Sequence, residues 1–295
     1  VAYIYSRAFE ATWTVKRLGD QSDFSVKFWG VRGSIACPGD QYQRYGGNTS
    51  CVEVRCGEEV LILDAGTGLR GLGDSLVKDG QVIKGNLFLT HTHFDHINGL
   101  PFFAPLFNPQ NRLKIWAGHL LPELTLHEAL GKFMAAPLFP VPLQIFAANV
   151  SFHDFTAGEA IEPHPDIKIR TAPLNHPNKA TGYRLEFGGR AICYITDTEH
   201  KKDRPDESIL SLIDRADMMI YDSTYTEDEF PRYVSWGHST WQEGVRLCDL
   251  AGVKQLVVFH HDPGHDDDFM DRVAEQAERE RPGTVVAREG MVLRP

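Results

Sequence analysis

Cysteine is scarce and unpaired in this chain. Its five cysteines (Cys37, Cys51, Cys56, Cys193 and Cys248) are an odd number and include no C-x-x-C. That argues against a disulfide framework and for a reducing, cytoplasmic compartment. No run of about 20 apolar residues is present to cross a membrane. The opening stretch VAYIYSRAFEATWTVKRLGD lacks the sustained apolar core and small-residue cleavage site of a signal peptide, so none is expected. Basic residues are also in deficit, with 30 Lys and Arg against 40 Asp and Glu and a formal net charge of −10. The longest basic cluster, HKKDR at 200–204, is broken by an acid. A binder of long nucleic acid needs a basic stripe to neutralise phosphates, so neither such a partner nor a membrane is expected. A small anion stays compatible with this charge, because a bound metal can supply local positive potential. There is no clean repeat and no Gly/Ser linker.

What the chain does have is a succession of short apolar runs. SVKFWG (25–30), CVEVRC (51–56), VLILD (60–64), NLFLT (86–90) and LKIWA (113–117) read as strands. So do IKIRTA (167–172), YRLEF (183–187), AICYIT (191–196), MMIYD (218–222), LVVFH (256–260) and TVVA (284–287). Alternation and β-branched content support these assignments. Helical spacing predicts helices over 122–135 and 206–215, one through Trp241, Val245 and Cys248, and one through Phe269, Val273 and Ala277. Thr240 and Glu243 form a T-x-x-E capping box at the start of the third. The Pro-rich APLFPVP (136–142) reads as loop. Strand-rich halves, each covered by helices on one side, predict an α/β layered fold.

The chemistry concentrates in FLTHTHFDHINGL (88–100), where His91, His93, Asp95 and His96 follow a predicted strand at once. A loop at a strand end is where a rigid sheet can present ligands. Imidazole nitrogens and a carboxylate suit Zn²⁺, Mn²⁺ or Fe. Four such groups can divide between two metals about 3.5–4 Å apart. Of the 13 histidines, His119, His127, His153 and His164 fall in no such pattern and read as ordinary polar residues.

The motif H-T-H-F-D-H resembles the H-x-H-x-D-H signature of the metallo-β-lactamase superfamily. LILDAGTG (61–68), which contains Asp64, is similar to the D-x-G segment that precedes it. The resemblance runs in order over about residues 24–295. It implies a four-layer αββα sandwich with the metals at one edge of two sheets and 24–295 as a single hydrolase domain; residues 1–23, outside the resemblance, read as an N-terminal arm or extra strand. It implies that His91, His93 and His176 hold one divalent ion, that Asp95, His96 and His260 hold the other, and that Asp197 bridges them. Asp64 is expected to support the ligands from behind. His260 ends the apolar run as the family ligand does; His261 is the alternative. Hydroxide bridging two such metals can attack at neutral pH.

Two further stretches resemble the phosphodiesterase branch of that superfamily, which includes ribonuclease Z. MMIYDST (218–224) offers Asp222, and WGHSTWQEG (236–244) offers His238. The resemblance implies catalytic roles for His238, Asp222 and Asp95, with the acid orienting the histidine. A carboxylate favours the charged imidazole, which suits a general acid for the leaving oxygen. Ribonuclease Z carries glutamate where this chain has Asp222, and a basic Gly/Pro-rich arm that is not found here. These departures favour small phosphodiesters, of cyclic nucleotide or cyclic phosphate type, over transfer RNA. The alternatives are a ribonuclease Z-like RNA 3′-processing nuclease, a lactonase, thioesterase or β-lactamase on the same fold, and a metal-holding sensor without chemistry. A homodimer is the common default for soluble enzymes. In WGVRGSIACPG (29–39) and RYGGNTSC (44–51), glycines with Arg32, Ser34, Asn48 and Thr49 are candidates for anion contact, against ordinary turn chemistry.

Overall fold

The computed structural model describes residues 23–295 except 79, 81 and 203, so the segment read as an arm or extra strand lies, but for Asp23, outside the described residues. Among the described residues the strands form two seven-stranded sheets. The first contains β1 (Phe24–Gly30), β2 (Cys51–Cys56), β3 (Glu59–Leu63), β4 (Lys84–Leu89), β5 (Arg112–Ala117), β6 (Asn149–Asp154) and the late β14 (Val292–Leu293), in the order β14-β1-β2-β3-β4-β5-β6. The second contains β7 (Ala160–His164), β8 (Ile167–Leu174), β9 (Ala180–Phe187), β10 (Arg190–Ile195), β11 (Met218–Asp222), β12 (Gln255–Phe259) and β13 (Val285–Val286), in the order β13-β12-β11-β10-β9-β8-β7. The helices are α1 (Gly68–Lys78), the one-turn α2 (Phe94–Ile97), α3 (Leu126–Phe133), α4 (Glu207–Ile213), α5 (Trp241–Ala251) and α6 (Asp267–Glu280).

Side chains on a strand alternate between faces, and here each face meets a different apolar layer. Phe88, Ile192, Tyr194, Ile220, Val257 and Phe259 point between the sheets. Their neighbours Cys193, Tyr221, Leu256 and Val258 point outward against Leu212 of α4, Val245 of α5 and Val273 of α6. On the first sheet, Ile62, Leu87 and Leu89 point outward against Leu69 and Leu72 of α1 and Leu130 of α3. Three apolar layers between four structural layers make the αββα sandwich that the sequence implied. The segments before and after β5, within 101–111 and 118–148, fold onto this outer face through Phe103, Leu106, Leu126 and Leu143.

β3 runs parallel to β4, and β10, β11 and β12 run parallel to one another. β8 runs antiparallel to β9, which is antiparallel to β10, so β8 shares their direction. The C-terminal ends of these strands therefore gather at one edge. Tyr194 reaches across the inner layer to the Asp64 carboxylate at 3.0 Å, and Tyr183 reaches the Leu89 carbonyl at 2.6 Å. These bonds pin the sheets together where the strands end.

β6, β7, β14 and α1 were not foreseen. β6 and β7 end their sheets and are only partly buried, so their apolar signal is short: Val150 and Phe152 in NVSFHD and Ile161 in AIEPH. Helix α1 (GLRGLGDSLVK) carries three glycines, poor helix formers. Only half of the capping box at α5 forms: the Thr240 hydroxyl accepts from the Glu243 amide, while the Glu243 carboxylate pairs with Arg246. A complete box instead starts α3, from Thr125 and Glu128.

Candidate metal centre

Six strands each hand one or more side chains to this edge. Asp64 follows β3, His91 to His96 follow β4, His176 follows β8 and Asp197 follows β10. Asp222 ends β11, and His260 follows β12. Asp64, Asp197 and His260 adopt left-handed backbone conformations, with φ of 60°, 60° and 64°. A non-glycine residue in that region costs about 1–3 kcal/mol unless the surroundings hold it, and such residues gather at functional sites. The turn at each strand end swings the side chain back over the sheet edge.

The inward-facing atoms form a run of overlapping groups, through Asp197, His238 and Asp222 as well, and two of these groups match the expected ligand sets. Ring nitrogens of His91, His93 and His176 make one; Asp95, His96 and His260 make the other. His176 Nε2 lies 3.0 Å from His93 Nδ1, and His96 Nε2 lies 3.3 Å from His260 Nε2. Asp197 stands between them. Its Oδ2 is 3.1 Å from His96 Nε2 and 3.3 Å from His260 Nε2, while its Oδ1 is 3.9 Å from both His91 Nε2 and His176 Nε2. All seven residues expected as ligands thus converge, and of the two adjacent histidines it is His260 that faces the cluster. His261 points away, with Nε2 on the Ala287 carbonyl at 2.9 Å. Burial holds its pKa down at about 3, so it stays neutral.

The opposite ring nitrogens are held by the protein, which fixes each ring. His96 Nδ1 meets Asp64 Oδ2 at 2.9 Å, and His176 Nδ1 meets the Gly237 carbonyl at 2.8 Å. His260 Nδ1 meets Thr224 Oγ1 at 3.0 Å, and His91 Nδ1 meets Thr90 Oγ1 at 3.1 Å. Such outer partners orient ligands and set their tautomer. His91 Nε2 is buried with no hydrogen-bond partner. An orphaned buried nitrogen aimed at a carboxylate and other ring nitrogens fits a cation. Five imidazoles and two carboxylates suit Zn²⁺, Mn²⁺ or Fe.

Charge in the cluster is shared. Burial opposes ionisation of Asp197, but His260 and His96 hold its carboxyl well below the usual range. Burial likewise opposes charge on His96, yet Asp197, Asp95 and Asp64 hold its pKa well above that of a free imidazole. Burial and the neighbouring His96 push His91 well down. Divalent ions would displace the protons so held.

Asp222 and His238 stand beside the cluster, with His238 Nδ1 on Asp222 Oδ2 at 3.1 Å. The same oxygen accepts from Thr198 N at 3.0 Å, and Oδ1 accepts from Thr224 N at 3.1 Å and Thr224 Oγ1 at 2.8 Å, so the carboxylate cannot swing away. Burial opposes charge on His238, but Asp222 raises its pKa to about 9. The imidazole packs against His260, ring centroids 5.0 Å apart, and lies 5.4 Å from that of His176. The aspartate therefore closes the pair although it is one methylene shorter than glutamate.

Of the candidates in the early loops, Ser34 offers its backbone N–H to Asp95 Oδ2 at 2.8 Å. Asn48 is held by Glu289, with N on Oε1 at 2.6 Å and Nδ2 on Oε2 at 3.0 Å. Thr49 is buried, its backbone N on Thr67 Oγ1 at 2.9 Å. Arg32 is buried and binds the carbonyls of Gly46, Asp262 and His265. Gly33 lies so close to His260 that a β-carbon there would sit 2.4 Å from the ring. The groups that sequence reading missed are Thr224, which contacts Asp222 and His260, Thr90, which contacts His91, Tyr194, which contacts Asp64, and Gly237, which contacts His176. Thr224 had a visible signal, two residues beyond Asp222 in YDST. His119, read as an ordinary polar residue, is buried behind the metal loop with Nε2 on Thr92 Oγ1 at 3.1 Å.

Comparison with known proteins agrees with this architecture. Residues 60–261 match the beta-lactamase superfamily domain. Among curated proteins, ribonuclease Z of Gemmatimonas aurantiaca is 23% identical over 287 residues, covering 79% of this chain and 85% of that protein. Among solved structures, the metallo-β-lactamase fold protein YhfI from Bacillus subtilis superposes with a TM-score of 0.70 at 19% identity, covering 92% of this chain and 98% of that one. A diphosphatase of the PhnP family gives 0.63 at 19% identity, with the same coverage.

Proposed function

Since the chain belongs to the beta-lactamase superfamily and is a metal-dependent hydrolase, we propose that it hydrolyses small phosphodiesters of the cyclic nucleotide or cyclic phosphate type. The observation that carries this reading is the locked Asp222–His238 pair beside the metal ligands. Two divalent ions, zinc or manganese with iron as a further candidate, would be held by His91, His93 and His176 and by Asp95, His96 and His260, with Asp197 between them. Bound there, they would activate water and neutralise phosphoryl oxygens.

The protein's own groups do the rest. Asp222 takes His238 Nδ1–H, which leaves Nε2 to face the substrate. As water attacks phosphorus and the P–O bond to the alcohol breaks, His238 Nε2 gives its proton to the leaving oxygen. The pKa of His238, raised to about 9 beside Asp222, keeps that proton available at neutral pH. Asp95, fixed by the Ser34 amide and next to His260, keeps the second group of ligands in register.

A second reading, RNA 3′-processing of the ribonuclease Z kind, draws on the curated relatives that bear that name. The net charge of −10 weighs against a polyanionic substrate. The deciding experiment presents bis-p-nitrophenyl phosphate, cyclic nucleotides and precursor transfer RNA in parallel to metal-analysed protein. Small diesters are expected to be cleaved, and His238→Ala to lower kcat by roughly 10²–10⁴-fold. Cleavage of precursor transfer RNA alone would favour the second reading, and full activity of His238→Ala would remove the leaving-group role.

A further inference from the structure

The segment between β11 and α5 carries a second row of aromatic side chains that none of the chemistry above uses. It starts at the catalytic histidine and runs outward. The Tyr225 ring lies edge-on to His238, centroids 6.1 Å apart. Tyr233 stacks flat on Tyr225 at 4.4 Å with a 6° tilt, and Trp236 meets Tyr233 edge-on at 5.4 Å. Burial falls along the row: Tyr225 is buried, Tyr233 half-buried, and Trp236 62% exposed. The other tryptophans among the described residues, Trp29, Trp116 and Trp241, are buried or half-buried.

The backbone presents Trp236 at a cost. Ser235 before it has φ of 75°, and Gly237 after it has φ of 86°. A serine in the left-handed region is disfavoured and persists where the surroundings impose it. Gly237 in turn is anchored at the metal centre, its carbonyl on His176 Nδ1 at 2.8 Å and its α-carbon against the His176 ring. Consecutive Cα atoms are about 3.8 Å apart, so Trp236 stands within about 8 Å of His238 along the backbone. The backbone at Trp236 is thus held close to the site, one residue from the contact to His176 and two from His238, and its large, rigid indole is exposed to solvent.

We infer that Trp236 is a specificity-determining residue that stacks against a planar aromatic ring in the ester group of the substrate. The inference rests on the hydrolase reading for the position of the phosphoryl group. With phosphorus beside His238, a flat ring carried on the ester oxygen, directly in an aryl ester or through the sugar in a nucleoside ester, can extend to the exposed indole. An indole face accepts any flat ring without regard to its hydrogen-bonding edge. Aryl esters and nucleoside esters share that chemistry.

The test is equilibrium binding of three monoesters to zinc-loaded protein by calorimetry: methyl phosphate, phenyl phosphate and thymidine 5′-monophosphate. All share the phosphate, and only the last two carry a ring. At least one ring-bearing ester is expected to bind on the order of tenfold more tightly than methyl phosphate, the scale of one base–aromatic stack. Whichever of the two gains more identifies the ring as simple aryl or nucleobase. Trp236→Ala should bring the ratio to about one, and Trp236→Phe should keep most of it. Equal affinity for all three esters in the wild type, or a ratio that survives Trp236→Ala, overturns the inference. Hydrolysis of bis-p-nitrophenyl phosphate, measured alongside, separates the two proposals. Turnover without ring preference removes only the role of Trp236, whereas ring preference without turnover removes the phosphodiesterase reading and leaves the stack.

Discussion

Gly33 and Gly237 lie against histidines on opposite sides of the cluster. A β-carbon at Gly33 would sit 2.4 Å from His260 Nδ1, and one at Gly237 would sit 2.4 Å from His176 Nδ1. His260 belongs to the group with Asp95 and His96, and His176 to the group with His91 and His93. Substitution should therefore damage the two metal positions separately. Gly33→Ala should weaken metal binding about 10–100-fold at the Asp95–His96–His260 position, and Gly237→Ala should do so at the other. Metal content after dialysis against a buffered zinc series reads this directly. Loss of both ions together in each variant would show that the positions are not independently braced.

Among the elements, α5 ties stability to the site most tightly. It begins at Thr240, two residues after His238, and ends on Gly252 in a left-handed cap with φ of 65°. Thr240 is buried, and its hydroxyl takes the Glu243 amide at 3.1 Å. Removing such a cap costs about 1 kcal/mol. Thr240→Ala should lower the urea midpoint by the equivalent of about 1 kcal/mol with an unchanged slope, and Thr240→Ser should restore most of it. An unchanged midpoint would mean that the packing of Trp241 and Val245 alone sets the helix start. Ser239, the residue between His238 and this cap, bonds Tyr221 at 2.9 Å and His200 at 2.8 Å. The loop that carries His238 is thus anchored on the outer face of the second sheet as well as at the metal edge.

For the whole molecule, the edge that gathers the ligands also gathers unfavourable terms: three left-handed residues and the buried carboxylates Asp64, Asp197 and Asp222. Bound cations would offset both. A ligand held only by the folded state stabilises it by about 2.7 kcal/mol at a concentration one hundred times its dissociation constant. Chelation should therefore lower Tm by on the order of 5 °C or more, and zinc or manganese should restore it. Calorimetric scans with and without chelator measure the difference. A Tm indifferent to chelation would mean that the protein's own hydrogen bonds already compensate the cluster. No helix among the described residues is long and apolar enough to cross a membrane. The five cysteines are free and buried, and burial pushes the thiols of Cys56, Cys193 and Cys248 up to about 12.

Local pattern was enough for much of this. Alternation marked the central strands, because a strand buried on both faces or on one must carry apolar residues at fixed spacing. The H-x-H-x-D-H run and the strand-end positions of His176, Asp197 and His260 were legible because ligands must sit where a rigid element stops. The edge strands β6 and β7 were not legible, since their apolar residues are only Val150 and Phe152 in one and Ile161 in the other, too few to stand out. Nor was α1, whose Gly68 and Gly73 serve close packing, a β-carbon at Gly68 meeting the Trp29 backbone at 2.5 Å and one at Gly73 meeting Phe103 at 2.8 Å. Tertiary structure alone decided between His260 and His261, because adjacent residues leave a strand end in different directions and one backbone turn, φ of 64° at His260, selects which ring faces the His/Asp cluster. It alone gave Asn48 to Glu289, Thr224 to both Asp222 and His260, and Gly237 its place against His176, next to the exposed Trp236. Those roles depend on which distant segments meet, and no local spacing records that.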